Sequence, residues 1–131
     1  MGKNMEKRWV VVAWMILAII HMPPAAVLMA PELSTRLYGV EPHGTIATLI
    51  THRGALFLTV MASCLFAAFD PASRRLGTIS AGISVVGFLL IYLQAGLPDG
   101  PLRTVALVDS AALVPLAFVV WAAWRPATTA P

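Results

Sequence analysis

Four long apolar stretches separated by short polar breaks constrain this chain more than any other feature. They cover about residues 9–30, 45–69, 76–95 and 104–124. A helix needs ~20 mostly apolar residues to cross the hydrocarbon core of a bilayer, and each stretch has that length. Composition agrees: 59% of residues are hydrophobic and 11% charged, against about a quarter charged in an average soluble domain. Such a balance excludes a disordered chain and a nucleic-acid-binding one. The expected fold is all-α, an integral membrane, antiparallel four-transmembrane-helix bundle, with residues 1–131 as one domain.

Two features of the ends and the cysteine content narrow this further. The basic N-terminus MGKNMEKR precedes an apolar run that continues to Ala30. That exceeds the ~7–15 residues of a secretory h-region, and no A-x-A site follows, so it reads as a retained span. The single cysteine, Cys64, allows no intrachain disulfide and no CxxC redox pair. It reads as a small buried apolar residue.

Orientation follows from where the basic residues fall. Lys3, Lys7, Arg8 and Arg125 lie at the ends, and Arg74 and Arg75 lie in the second break, whereas the other two breaks hold Arg36 and Arg103. By the positive-inside bias both termini belong in the cytoplasm, with Trp9, Trp121 and Trp124 as interfacial anchors there. The net charge of +3 thus reports topology rather than a basic binding face. The expected location is a bacterial inner membrane.

The breaks and seams carry their own signals. Pro31–Gly44 is either an irregular loop or a short interfacial helix over Pro31–Tyr38 stopped by Gly39. In the helical case Leu33, Leu37 and Tyr38 would lie against the membrane. Gly77, Ser80, Ser84, Gly87, Ile91 and Gln94 recur at steps of three and four, as do Thr48, His52, Ala55, Thr59 and Ser63. Such rows of small and polar residues suit close helix packing in lipid, and the two are expected to face each other or the bundle centre. Pro23, Pro24 and Pro115 deprive the carbonyls of Ile19, Ile20 and Ala111 of their helical donors.

Charged residues inside apolar spans are expensive and usually face the protein interior. Here His52 and Arg53 interrupt the second span. At ~1.5 Å per residue, His21, Arg53, Tyr92 and Asp109 all fall in the outer half of their spans. Helical side chains lean towards their own N-terminus. Arg53 and Asp109 therefore lean outward and His21 and Tyr92 inward, so their tips can meet in one layer. The expectation is an intramembrane Arg53–Asp109 ion pair, with His21, His52 and Tyr92 lining the same pocket. Against it stand an Arg53 that snorkels to headgroups, a hydrated Asp109, a His21 that bonds proline-freed carbonyls, or a purely structural clasp. His43, in the first break, reads as solvated. Haem is disfavoured, because two histidines without CxxCH or a second pair make a poor axial set. No metal site is expected, and no cofactor is specified.

With LYG at Leu37–Gly39, HRGALF at His52–Phe57 and VALVDSAAL at Val105–Leu113, the chain resembles the DoxX-like superfamily of small bacterial four-helix membrane proteins. The resemblance implies an antiparallel bundle in the inner membrane. Relatives of that fold include quinone-linked oxidoreductase subunits and, more remotely, sterol-isomerase-type enzymes. Their activities do not carry over, since no residue here matches a defined catalytic motif. An adenylyltransferase activity is equally unsupported, for want of an HxGH-type nucleotide motif.

The leading expectation is a protein that binds an apolar or amphipathic small molecule (lipid, quinone or isoprenoid) in the polar pocket, with isomerase or redox-accessory chemistry open. Arg53 would hold an anionic or carbonyl group, Asp109 would orient Arg53, and His21 or His52 with Tyr92 would exchange protons. The alternatives are a non-catalytic subunit or scaffold, alone as a homo-oligomer or with a partner membrane subunit, and a small transporter. The last lacks the first-span acid of four-span exporters.

Overall fold

A computed structural model describes residues 2–126. Met1 and residues 127–131 of the expected single domain, with the side chain of Lys3 counted among the basic flanks, lie outside the described residues. The described residues form helices α1 (Gly2–Ala26), α2 (Leu33–Tyr38), α3 (Gly44–Phe69), α4 (Arg74–Gln94) and α5 (Pro101–Trp124), with a 3-10 turn at Pro71–Ser73 and no strand among them. Four segments are long and apolar enough to cross a membrane: Asn4–Ala26, Gly44–Phe69, Pro71–Gln94 and Pro101–Trp124.

Local chemistry sets the ends of these helices. The first span starts earlier than the apolar run and stops at Ala26, not Ala30. The N–H groups of Leu28 and Met29 bond to Ala25 O and Ala26 O at 3.1 and 3.0 Å, so the chain tightens into a turn just after Pro23-Pro24. Helix α2 ends at Gly39, whose left-handed φ of 69° is easiest for glycine. The Asp70 carboxylate caps the Pro71–Ser73 turn, accepting from Ala72 N–H at 3.0 Å and from the Ser73 hydroxyl. Those two bonds, Ser73 first, hold its carboxyl below the ordinary carboxylate range. Before α5, Gly96, Leu97 and Gly100 all take positive φ, and Pro101 opens the helix where its missing N–H costs nothing.

The long helices follow chain order around a ring: α1 packs on α3, α3 on α4, α4 on α5 and α5 back on α1, while α2 touches α5 and α1. The core lies towards the end where the Arg125 guanidinium pairs with the Glu6 carboxylate. Its centre is Trp14, fully buried with Leu17, Cys64, Val85 and Val119. Small residues make room for the indole. A Cβ on Gly77 would lie 2.9 Å from Trp14 Cη2 and 3.0 Å from Ala67 Cβ. Beside it the Thr78 hydroxyl donates to Arg75 O at 2.7 Å and accepts the Trp124 indole N–H at 3.0 Å.

The outward faces are apolar as well. Leu49, Leu56, Phe66, Ile83 and Val114 are 63%, 55%, 68%, 70% and 75% exposed, far more apolar surface than a water-soluble monomer presents. Contact with lipid accounts for it.

The two small-residue rows meet at one point, where the Ser63 hydroxyl donates to Ser80 Oγ at 3.2 Å. Gly77, packed on Trp14, and Ser84, bonded to His21, also face the bundle centre, whereas Thr48, His52 and Thr59 are exposed, as are Ile91 and Gln94. The buried residues of α3 are instead Gly54, Cys64, Ala67 and Ala68. In lipid the polar or apolar character of a residue does not separate inside from outside. Close approach does. At Gly54 an added Cβ would fall 2.5 Å from Leu28 N and 3.0 Å from Leu28 Cα, so α3 touches the backbone just beyond α1.

Candidate functional site

At the end of the bundle away from Trp14 the long helices enclose a cavity of about 140 Å³ rather than a solid core. Its wall includes Ile20, His21, Tyr38, Arg53, Phe57 and Asp109, drawn from α1, α2, α3 and α5, with Phe88 from α4. Pro23, Thr104 and Val108 also line it and are exposed. The exposed part of its wall thus lies on α1 and α5.

Arg53 is turned into this space, half-buried, with its guanidinium carbon 4.4 Å from the Tyr38 ring centre and 5.2 Å from that of Phe57. An arginine at mid-helix costs ~2.5–3.5 kcal/mol on insertion scales. Each desolvated cation–π contact returns up to about 2 kcal/mol. Two aromatic faces thus offset much of the cost without any carboxylate.

Asp109 lines the same cavity, but the expected ion pair is not formed. The ion pairs within 4.0 Å among the described residues are His43–Glu41, Arg103–Asp99 and Arg125–Glu6. The reason lies in α2. That helix is present, yet Tyr38 does not face the membrane as expected. It is 9% exposed, folded inward over Arg53, and its ring takes the guanidinium. Leu37 lines the cavity too.

His21 is 2% exposed and both ring nitrogens are engaged. Nδ1 lies 2.7 Å from Leu17 O and Nε2 lies 3.0 Å from Ser84 Oγ. A carbonyl only accepts, so Nδ1 carries the proton, and in the neutral ring Nε2 accepts from the Ser84 hydroxyl. The histidine is a brace across the bundle from α1 to α4. Its partner is the carbonyl of Leu17, not one freed by a proline.

Two expected members lie elsewhere. His52 is exposed and outside the cavity wall, because it follows the wrong side of α3 from Gly54 and Phe57. Tyr92 is buried, but its hydroxyl donates to Pro98 O at 2.9 Å, fastening the α4–α5 loop. It borders a separate open groove of about 420 Å³ with Leu89, Asp99, Arg103 and Ser110. The proton-exchanging set of histidine and Tyr92 does not assemble. Nor do His21 and His52 converge as a pair of axial ligands.

Tyr38 and Ser84 are the site residues that sequence reasoning missed. Ser84 stands in the α4 row of small residues and reads there as packing. The signal for Tyr38 is the adjacent Gly39, whose left-handed stop turns α2 over the bundle. The Tyr38 hydroxyl is buried with no hydrogen-bond partner. Burial pushes its acidity constant up, Arg53 opposing and Asp109 adding to the shift, so it stays a protonated phenol at neutral pH.

Taken together, the cavity offers a cation held by two aromatic rings, a carboxylate and an apolar wall, with the unpartnered Tyr38 hydroxyl buried beside it. These are groups for binding and orienting a molecule with one polar end. Comparison with protein-family models, characterised proteins and solved structures finds no match for the chain.

Proposed function

We propose that this is a membrane protein that binds an apolar or amphipathic small molecule, of the lipid, quinone or isoprenoid kind, in the intramembrane cavity. The observation that carries the reading is Arg53 held inward under Tyr38, beside a cavity it shares with Asp109. Ligand sites in helical bundles are built in this way, as apolar cavities with a few convergent polar groups. Arg53 would attract the polar end and Asp109 would orient it. Isomerase or redox-accessory chemistry would be an elaboration of that binding.

The reading includes a topology and a kinship. In it the bundle is antiparallel, with both termini cytoplasmic in a bacterial inner membrane. Support comes from the basic flanks, from the contact of Glu6 with Arg125, and from Trp9, Trp121 and Trp124, which are 59%, 54% and 51% exposed, as interfacial anchors should be. Membership of the DoxX-like superfamily rests on the LYG, HRGALF and VALVDSAAL segments, which supply Tyr38, Arg53 and Asp109.

Native mass spectrometry of the protein released from its own membrane tests the binding. Wild type should retain a small apolar species that Arg53→Ala loses. No bound species in either form would contradict the reading.

A second reading, a non-catalytic membrane subunit, is favoured by one face of α4. Added Cβ atoms at Gly82 and Gly87 would meet nothing within 4 Å, and both residues line an open groove with Ile83 and Leu90. Close helix partners in lipid use such small residues. Cross-linking from cysteines placed at 83 and 90 would capture that partner, whether a second copy or another subunit.

A further inference from the structure

We propose that the cavity takes the uncharged, oxygen-bearing head of a single-chain amphiphile, with the Tyr38 hydroxyl as its hydrogen-bond donor and the hydrocarbon chain leaving between α1 and α5. This deepens the binding reading above and rests on it. Three independent observations point to this class of ligand.

The first is the orphaned phenol. Tyr38 is 9% exposed, its hydroxyl has no partner, and the residue lines the cavity. Buried polar groups are almost always satisfied, and the exceptions call for an unseen partner. The hydroxyl itself is covered, so an alcohol or ketone oxygen entering the cavity supplies the missing acceptor once the Tyr38 ring shifts towards the space it borders.

Charge balance is the second. The Arg53 guanidinium and the Asp109 carboxylate line one space. The only other titratable side chains on the wall are Tyr38, a phenol, and His21, whose nitrogens are engaged by Leu17 O and Ser84. The formal charges of Arg53 and Asp109 cancel. A head that carries its own charge would bring an uncompensated one into an apolar surrounding, which is costly, whereas an uncharged head would not. This narrows the role of Arg53 from holding an anion to polarising a neutral oxygen.

Size and exit are the third. The cavity is small, about 140 Å³. Pockets that enclose whole drug-sized molecules start at about 300 Å³. One ring or one short polar head fits; the bulky headgroup of a phospholipid does not. The exposed wall residues Pro23, Thr104 and Val108 mark where a single chain passes into the bilayer.

Photolabelling of the full chain in phosphatidylcholine nanodiscs tests this. Two probes of equal chain length carry the same mid-chain diazirine; one ends in a primary alcohol, the other in a carboxylate, used at a pH where it is ionised. The alcohol probe should label the rim around Ile20 and Val108 roughly tenfold more than the carboxylate, since one buried uncompensated charge is worth at least that ratio. Tyr38→Phe should lower the alcohol labelling roughly fivefold, the effect of one hydrogen bond. Because that hydroxyl has no protein partner, the variant keeps every hydrogen bond of the fold. Val108→Trp should abolish rim labelling by closing the exit. Carboxylate labelling equal to or above that of the alcohol would overturn the neutral-head assignment while leaving the binding reading standing. Unchanged labelling of Tyr38→Phe would remove Tyr38 as the donor. Absence of rim labelling by either probe would overturn the inference and the binding reading together.

Discussion

At the end of the bundle where Glu6 meets Arg125, the helices close on Trp14, and at Gly77 neighbours lie within 3.0 Å of where a new Cβ would fall. At the opposite end the same helices stand around open space, braced by His21–Ser84 and roofed by Tyr38. Each end holds an orphaned donor, Trp14 Nε1 and Tyr38 Oη. The tyrosine borders the cavity. The contrast separates what a membrane bundle needs in order to hold together from what it needs in order to hold something else. Tight apolar contact does the first, because lipid supplies no hydrophobic drive between helices. Space with unsatisfied polar atoms serves the second.

The largest expected effect falls on the packed end. Trp14→Ala should destabilise the protein by ~3–5 kcal/mol, as truncations of buried aromatics do. Phe57→Ala, at the cavity end, should cost less than half as much, because its ring already borders open volume. Thermal unfolding in one detergent compares the two. Equal losses would mean that both ends are packed alike and that the cavity is not a standing feature.

Gly54→Ala comes next. Its Cβ would meet the Leu28 backbone at 2.5 Å, so the end of α1 must move, at a cost of ~1–3 kcal/mol typical of overpacking. Gly87→Ala is the matched control, with nothing within 4 Å, and should be neutral or stabilising by up to about 1 kcal/mol from helix propensity. The same unfolding assay reads both. A shift of α1 should also deform the cavity, so Gly54→Ala should lose the bound species that Gly87→Ala retains.

The cavity's own charges give a smaller effect. Arg53→Ala should cost ~1–3 kcal/mol, since it removes two ring contacts and leaves Asp109 without its opposite charge. Because the two do not touch, a double-mutant cycle with Asp109→Asn should return a coupling of about 1 kcal/mol or less. Breaking a buried contact pair costs ~3–5 kcal/mol. A coupling of that size would restore the direct ion pair.

Smallest and opposite in sign is Tyr38→Phe. Removing a buried hydroxyl without a partner relieves an unmet hydrogen bond, so the empty protein should gain up to about 1 kcal/mol. A loss of that size on unfolding would mean that the hydroxyl already has a protein partner.

Much of the architecture was legible because span length is an additive property of composition. Four apolar runs, the Pro and Gly breaks and the basic flanks need no tertiary knowledge. The helix at Leu33–Tyr38 was half legible: Gly39 marked its stop but not the face it would present. Inside from outside was not legible along α3, where exposed Leu49 and Leu56 are as apolar as buried Ala67 and Ala68. That loss of contrast is why Thr48, His52 and Thr59 looked like a seam. Arg53, His21 and Asp109 were found because a polar group in lipid is conspicuous. Their partners were not, because Tyr38 and Ser84 are ordinary residues for a loop and a packed helix. The expected ion pair failed for that reason: a ring from outside the four spans reached the guanidinium.

The Arg53 side chain points into the bundle, under Tyr38, and not to the membrane surface. Solid-state NMR on the protein in phospholipid bilayers tests it directly, with arginine labelled at 13Cζ, tyrosine ring carbons labelled, and Arg53→Lys for assignment. A through-space correlation from Arg53 Cζ to the Tyr38 ring is expected from their 4.4 Å separation, with no dephasing of that carbon by lipid 31P. Strong 31P dephasing with no tyrosine correlation would place the guanidinium among headgroups and contradict the inward placement.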